Sequence, residues 1–248
     1  MNDTCTPPSS AFGRCAFLLA AAAAVGSSMV HAQAPAMETF APAGSGGPIV
    51  VIASGNSGTG LYREFSATLA ARGYYVVLID GKDISIRPND PSGKDGAANL
   101  RQVLAVAESA DKAIPGKAAL VGFSIGGIGV LGYGAPLKEH VSAVVLFYPA
   151  LTFIGSDLRP MVSAMQVPTL VFAGGADRFN NCCMLETMRA LEMAPKSAPF
   201  ELYVYPEAGH GFNLHAPAPL VFRQQDADDA WAKMLAFLDR YQPVKVKN

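Results

Sequence analysis

Between residues 49 and 205 the chain contains repeated short apolar runs, most of them continuous rather than alternating with polar residues. A strand that is apolar at successive positions is buried on both faces, as in a parallel sheet covered by helices on each side. The runs therefore predict the strands of a mostly parallel sheet. They cover residues 49–53, 74–79, 118–123, 141–147, 169–173 and 200–205.

The segments between these runs have the apolar spacing of helices. In the first of them, Leu61, Phe65 and Leu69 fall on one helical face. Later stretches repeat the pattern at Leu100, Val103, Leu104 and Ala107, at Met184, Leu185, Met188 and Leu191, and at Trp231, Met234, Leu235, Leu238 and Tyr241. This alternation predicts an α/β fold in which helices cover both faces of a central sheet, in one domain over residues 48–248. Ligands of such sheets bind at the carboxyl ends of the strands.

The charge balance narrows the choice of partner. The 248 residues carry a net charge of −1, and half of them are apolar. Without a cluster of Lys and Arg, the chain lacks the basic surface that nucleic-acid binding requires. We therefore expect a small-molecule substrate and no nucleic-acid partner.

The first 32 residues have the pattern of a signal peptide. Arg14 precedes the apolar run CAFLLAAAAAVG, which is shorter than the ~20 residues that span a bilayer. Val30 and Ala32 then provide the small-residue pattern of a cleavage site. We expect cleavage after Ala32, export to the periplasm or medium, and no stable membrane span in the mature chain. Residues 33–47, rich in Ala, Pro and Gly, predict a flexible N-terminal segment.

Cleavage would leave only the neighbouring cysteines Cys182 and Cys183. Adjacent Cα atoms lie about 3.8 Å apart, below the usual span of a disulfide, so two thiols are the favoured interpretation. A vicinal disulfide is the alternative.

The stretch VGFSIGGIGV, residues 121–130, predicts a nucleophile. Gly122 and Gly126 flank Ser124 in the pattern G-x-S-x-G, directly after a predicted strand. A serine on a sharp strand-to-helix turn needs small residues two positions away, because larger side chains would collide with the neighbouring strand and helix. Gly127 and Gly129 begin a second pattern, G-x-G-x-x-G, but inside the predicted helix and with no acid after the next strand. No dinucleotide cofactor is predicted.

A serine nucleophile needs a histidine base and an acid that orients it. His210, in YPEAGHGF, follows the last predicted strand at its carboxyl end, and Asp177, in TLVFAGGAD, follows the strand before it. The order Ser124, Asp177, His210 is that of an α/β-hydrolase. Asp157 is the competing acid, although PALTFIGS separates it from its strand.

The same logic predicts an oxyanion hole. One donor is the backbone N–H of the residue after the nucleophile, Ile125. The second comes from the loop after an early strand, IVVIASGNSGTG, where Asn56 is the favoured donor.

With these residues assigned, the chain resembles the dienelactone hydrolase family of α/β-hydrolases. The resemblance rests on VVIASGNSG, ARGYYVVLID, VGFSIGG, FAGGAD and VYPEAGHGFN, in that order, across residues 48–241. It implies a hydrolase without a large lid that acts on esters or lactones and needs no metal or organic cofactor. Two positions depart from the dienelactone-cleaving members: Ser124 replaces cysteine, and Gly55 replaces a glutamate.

We therefore expect an exported serine hydrolase of carboxylic esters or lactones. Two alternatives remain: a non-catalytic binding protein on the same fold, and a dienelactone hydrolase proper. An anionic lactone would need a fixed cation, and Arg87, in ISIRPND, is the candidate at the carboxyl edge of the sheet.

Overall fold

A computed structural model describes residues 35–85, 95–155 and 157–244. The predicted signal peptide over residues 1–32 and the candidate cation Arg87 lie outside these described residues. The described chain contains a seven-stranded sheet in the order β1-β3-β2-β4-β5-β6-β7, with helices between the strands.

The strands follow the continuous apolar runs closely. Their bounds are β1 Met37–Phe40, β2 Ile49–Ala53, β3 Tyr75–Ile79, β4 Ala118–Phe123, β5 Val141–Phe147, β6 Thr169–Gly174 and β7 Phe200–Tyr205. Strands β2 to β7 pair in parallel, as predicted, and β1 alone pairs antiparallel, with β3.

Four of the helices occupy the predicted amphipathic stretches, a fifth follows the serine turn, and the sequence did not predict the short helix Arg159–Ser163. Their bounds are α1 Arg63–Ala71, α2 Gly96–Glu108, α3 Ile125–Gly129, α4 Arg159–Ser163, α5 Leu185–Met193 and α6 Gln224–Tyr241. A π-helical turn, Val130–Gly134, continues α3, and short 3-10 turns lie at Gly60–Tyr62, Gly81–Asp83, Leu151–Ile154 and Phe179–Asn181. No helix among the described residues is long and apolar enough to cross a membrane.

The sheet separates two apolar cores, which explains why its strands are apolar at successive positions. In β2, Val50 and Ile52 pack into the core shared with α1 and α6. Ile49 and Val51, on the opposite face of the same strand, pack into the core shared with α2 and α5. Successive side chains of a strand point to opposite faces, so a sheet with helices on both sides buries every position.

The prediction that residues 33–47 form only a flexible segment is wrong for β1. Residues Met37–Phe40 pair with β3 from Met37 opposite Ile79 to Phe40 opposite Val76. An edge strand contacts one neighbouring strand and is only partly buried, so its sequence need not be continuously apolar. The domain therefore begins about ten residues earlier than predicted.

The strand order determines where a ligand can bind. After β2 the chain crosses to β3 on one side, and it then returns to β4 on the other side of β2. The loops that follow β2 and β4 therefore diverge and leave a crevice at the carboxyl edge of the sheet. Asn56 and Ser124 follow these two strands.

Candidate active site

Ser124 lies on a strained turn between β4 and α3. Its backbone angles are φ 50° and ψ −116°, outside the regions that a serine ordinarily adopts. A hydrogen bond from Ser124 N to Phe147 O (3.1 Å) and one from Gly127 N to Ser124 O (3.1 Å) fix this turn. The side chain is thereby held at the carboxyl edge of the sheet, and the residue is 6% exposed.

The glycines on both sides of the serine permit close backbone contacts, as the motif predicts. A Cβ at Gly126 would lie 2.4 Å from Ser54 O and 2.6 Å from Ala53 O, at the end of β2. A Cβ at Gly122 would lie 2.7 Å from the Cα of Gly127. Any side chain at either position would therefore push α3 away from the sheet.

His210 connects the serine to an acid. Its Nε2 lies 3.1 Å from Ser124 Oγ, and its Nδ1 lies 2.8 Å from Asp177 Oδ2. An ionised carboxylate can only accept, so Nδ1 carries the proton and Nε2 is the acceptor facing the serine hydroxyl. All three side chains are buried. The three residues singled out by the sequence form one hydrogen-bonded chain.

The loop after β6 holds the acid and packs against the histidine. The backbone N–H of Phe179 donates to Asp177 Oδ1 (3.0 Å), so the second carboxylate oxygen is also satisfied. The Phe179 ring stacks on His210, with centroids 4.7 Å apart and planes 8° apart. The imidazole is therefore fixed by contacts at its edge and on one face.

Asp157, the competing acid, lies in an exposed ion pair instead. Arg159 Nε is 2.8 Å from Asp157 Oδ1, and Arg159 Nη2 is 2.9 Å from Oδ2. The hydrogen bonds from the Arg159 side chain and backbone lower the pKa of Asp157 to about 2. The structure joins Asp177, and not Asp157, to His210.

The predicted oxyanion loop faces the serine. Gly55 and Asn56 follow β2, and Ile125 is the first residue of α3; all three line the same cavity as Ser124 and His210. The first backbone N–H groups of a helix have no partner within the helix, so that of Ile125 is available to a ligand. The role of Asn56 and Ile125 as oxyanion donors stays a prediction.

The cavity above these residues has a volume of about 550 Å³. Among its lining residues in the described ranges, His210 is the only titratable group apart from tyrosine, and none carries a fixed charge. The walls are mainly apolar side chains: Leu61, Ile128, Phe153, Phe179, Leu214 and Leu220. Such a cavity favours a neutral ligand, because an unpaired carboxylate would lose its hydration without gaining a cation.

Sequence reasoning missed two aromatic residues that complete the site. Tyr148, directly after β5, has φ 37°, contacts the His210 ring (4.6 Å between centroids) and donates from its hydroxyl to Asn213 Oδ1 (2.9 Å). Burial raises the pKa of Tyr148 well above its ordinary value, so the phenol stays protonated. The second residue is Tyr62, whose ring lies 4.7 Å from that of Phe123. The position of Tyr148 directly after β5 was the available signal for that residue, and the sequence offered none for Tyr62.

The favoured interpretation of two free thiols is wrong, since Cys182 and Cys183 form a disulfide. Each of the two residues is 2% exposed, so both side chains lie in the protein interior. There the two sulfurs are bonded to each other despite the short separation of the Cα atoms. Cys182 Sγ also lies 3.9 Å from His210 Nδ1. Within the described residues, these three side chains are the group whose ligand atoms are close enough to hold a metal. Sulfurs bonded to each other offer no thiolate ligand, so the disulfide form of this group does not fit a metal ion.

The fold, the strained serine turn and the Ser124–His210–Asp177 chain define a serine hydrolase of the α/β-hydrolase class. The model of the dienelactone hydrolase family matches residues 37–242, and the chain belongs to this family.

Individual relatives are more distant. A carboxymethylenebutenolidase of Rhodococcus opacus is 27% identical over 228 residues, which cover 86% of this chain and 89% of the relative. A proposed carboxymethylenebutenolidase of Escherichia coli O157:H7 is 33% identical over 129 residues, and the match spans 49% of this chain and 45% of that relative. The crystal structure of a proposed dienelactone hydrolase from Klebsiella pneumoniae has a TM-score of 0.64 at 21% identity, over 84% of this chain and all of the other.

The two candidate acids can be separated by substitution. We expect Asp177→Asn to reduce kcat by up to ~10⁴-fold, because an amide stabilises the wrong imidazole tautomer. The matched variant Asp157→Asn removes only an exposed ion pair, so its activity should stay close to that of the parent protein. Steady-state rates of both purified variants decide the assignment, and an equal or larger loss at Asp157 would contradict it.

Proposed function

We propose that this protein hydrolyses neutral carboxylic esters through an acyl-enzyme formed on Ser124. The observation that carries the proposal is the hydrogen-bonded chain from Ser124 to Asp177, at the base of a cavity whose described lining residues carry no fixed charge. The names of the relatives support an ester or lactone as the substrate, since a carboxymethylenebutenolidase acts on a lactone.

The reaction follows from the geometry of the site. Ser124 Oγ adds to the ester carbonyl carbon while its proton passes to Nε2 of His210, 3.1 Å away. Asp177 stabilises the imidazolium through the hydrogen bond at Nδ1 (2.8 Å). The negative oxygen accepts from the backbone N–H groups of Ile125 and Asn56, and His210 then protonates the departing alcohol. Water completes the cycle by the same steps on the acyl-enzyme.

The uncharged cavity sets the expected substrate preference. An anionic dienelactone would bring a carboxylate into the cavity, where the described lining residues offer no cation to pair with it. Arg87 lies outside the described residues. Gly55 also has no room for a glutamate, because a Cβ there would lie 2.5 Å from the Tyr62 hydroxyl. These features support neutral esters and argue against a dienelactone hydrolase proper.

We therefore expect p-nitrophenyl butyrate to be hydrolysed with a kcat/KM at least ~10-fold above that of a dienelactone, because burying an unpaired charge costs several kcal/mol. Both substrates are compared on one preparation, with Ser124→Ala as the blank. A kcat/KM for the dienelactone that is tenfold or more above that for the butyrate ester would instead support a dienelactone hydrolase proper.

We also propose that the protein is exported. The support is in the sequence alone: Arg14, the apolar run after it, and the small residues Val30 and Ala32. Protein recovered from the periplasm or medium of an expressing bacterium should begin at Gln33 by intact-mass measurement. A soluble cytoplasmic pool that retains residues 1–32 would contradict export.

A further inference from the structure

The hydroxyl group of Tyr62 lies beside the nucleophile. Tyr62 ends the 3-10 turn Gly60–Tyr62 in the loop between β2 and α1, and it is 3% exposed. A Cβ placed on Gly55 would be 2.5 Å from the Tyr62 hydroxyl oxygen and 3.4 Å from Ser124 Cβ. The phenol oxygen and the serine side chain therefore flank the same point of the oxyanion loop, and both residues line the cavity.

The phenol of Tyr62 stays protonated beside the nucleophile. Its oxygen is hydrogen-bonded to the Gly55 backbone and the Ser57 side chain, and both contacts lower the pKa of Tyr62. Burial nevertheless raises the pKa of Tyr62 to about 12, so the hydroxyl keeps its proton. A phenol hydroxyl has one proton to donate, and this one lies in the cavity wall close to Ser124. The O–H can therefore turn to the carbonyl oxygen of a substrate bound at the serine.

The aromatic ring is fixed relative to the serine. It packs on Phe123, the residue before Ser124, with centroids 4.7 Å apart. Ser66 Oγ donates to the backbone carbonyl of Tyr62 (2.8 Å), which ties the residue to α1. A donor that is already oriented and desolvated needs little reorganisation when charge develops nearby.

We propose that Tyr62 is a catalytic residue that donates a hydrogen bond from its hydroxyl to the carbonyl oxygen of the ester as that oxygen becomes an oxyanion. This role rests on the proposed function. Ser124 Oγ forms the new bond to carbon, its proton goes to His210, and the carbonyl electron pair moves onto oxygen. Tyr62 O–H stabilises that oxygen together with the backbone donors and keeps its own proton. When the tetrahedral intermediate collapses, the electron pair on oxygen re-forms the carbonyl bond. The bond from carbon to the alcohol oxygen breaks, and the alcohol leaves with the proton from His210.

This role accounts for the glycine at position 55. The Cβ of any larger residue there would meet the Tyr62 hydroxyl. A neutral phenol in that space stabilises the oxyanion instead. Gly55 and Tyr62 are therefore coupled: the missing side chain at one position makes room for the hydroxyl of the other.

The direct test is Tyr62→Phe, which removes one oxygen and keeps the ring. We expect kcat for a p-nitrophenyl ester to fall by about 10- to 1,000-fold with little change in KM, as when one oxyanion donor is removed. Tyr74→Phe is the matched control, because Tyr74 is also buried with a pKa raised to about 12 by burial but does not line the cavity. It should retain the parent kcat, and thermal unfolding should show both variants folded.

A second measurement separates an oxyanion contact from general packing. A trifluoromethyl ketone adds Ser124 to form a negatively charged hemiketal oxygen, whereas the corresponding methyl ketone binds mainly as a neutral ketone. Tyr62→Phe should weaken the trifluoromethyl ketone by at least ~10-fold more than the methyl ketone. Equal weakening of both, or an unchanged kcat in a folded variant, would overturn the role of Tyr62. Because the parent protein would still hydrolyse the ester, this failure differs from a failure of the proposed function, in which the parent itself is inactive.

The coupling with position 55 provides a structural check on where the hydroxyl lies. Gly55→Ala should lower the melting temperature of the parent protein, because its Cβ would overlap the Tyr62 hydroxyl. The same substitution in Tyr62→Phe should cost less, since the nearest remaining ring atom, Cζ, is 3.6 Å away. Additive effects would contradict the placement of Tyr62 on which the inference depends.

Discussion

The site depends on the close contact between the amino end of α3 and the end of β2. Gly126 approaches the carbonyl groups of Ala53 and Ser54 so closely that a single added carbon would overlap both. This contact holds the serine turn against the oxyanion loop, at the point where the strand order reverses. The backbone strain at Ser124 persists because the packed strands and helices around it leave no other conformation.

The contact also brings together groups from distant parts of the chain. Ser54 Oγ accepts from Gly81 N and donates to Gly55 O (both 3.1 Å), which joins the loops after β2 and β3. On the other side, the loop after β6 supplies Asp177 and the stacking ring of Phe179 to His210. The nucleophile, the imidazole and the candidate oxyanion donors thus lie at the carboxyl edge of the sheet, in turns and loops that hydrogen bonds and ring contacts hold in place. These polar groups, in a cavity whose lining residues in the described ranges carry no fixed charge, suit the stabilisation of charge that appears only during reaction.

The sequence predicted the features that follow from local pattern. Apolar runs located six of the seven strands of the sheet, and glycines at fixed offsets from Ser124 located the turn. It failed where tertiary packing decides: Met37–Phe40 lies in a Pro- and Ala-rich segment and becomes a strand only by pairing with β3. Tyr62 resembled an ordinary core residue, because nothing in its spacing shows that its hydroxyl reaches Gly55. The Cys182–Cys183 disulfide requires both side chains to turn inward, which adjacency alone does not reveal.

Labelling of Ser124 tests most directly whether this serine is an activated nucleophile. Folded protein is incubated with a fluorophosphonate, digested, and searched for the adduct by peptide mass spectrometry. We expect one phosphonyl group on the peptide that contains Ser124, no labelling of Ser124→Ala, and much slower labelling of Asp177→Asn. Absence of an adduct on the folded parent protein, or an adduct confined to another residue, would contradict the account and favour a binding protein on a hydrolase fold.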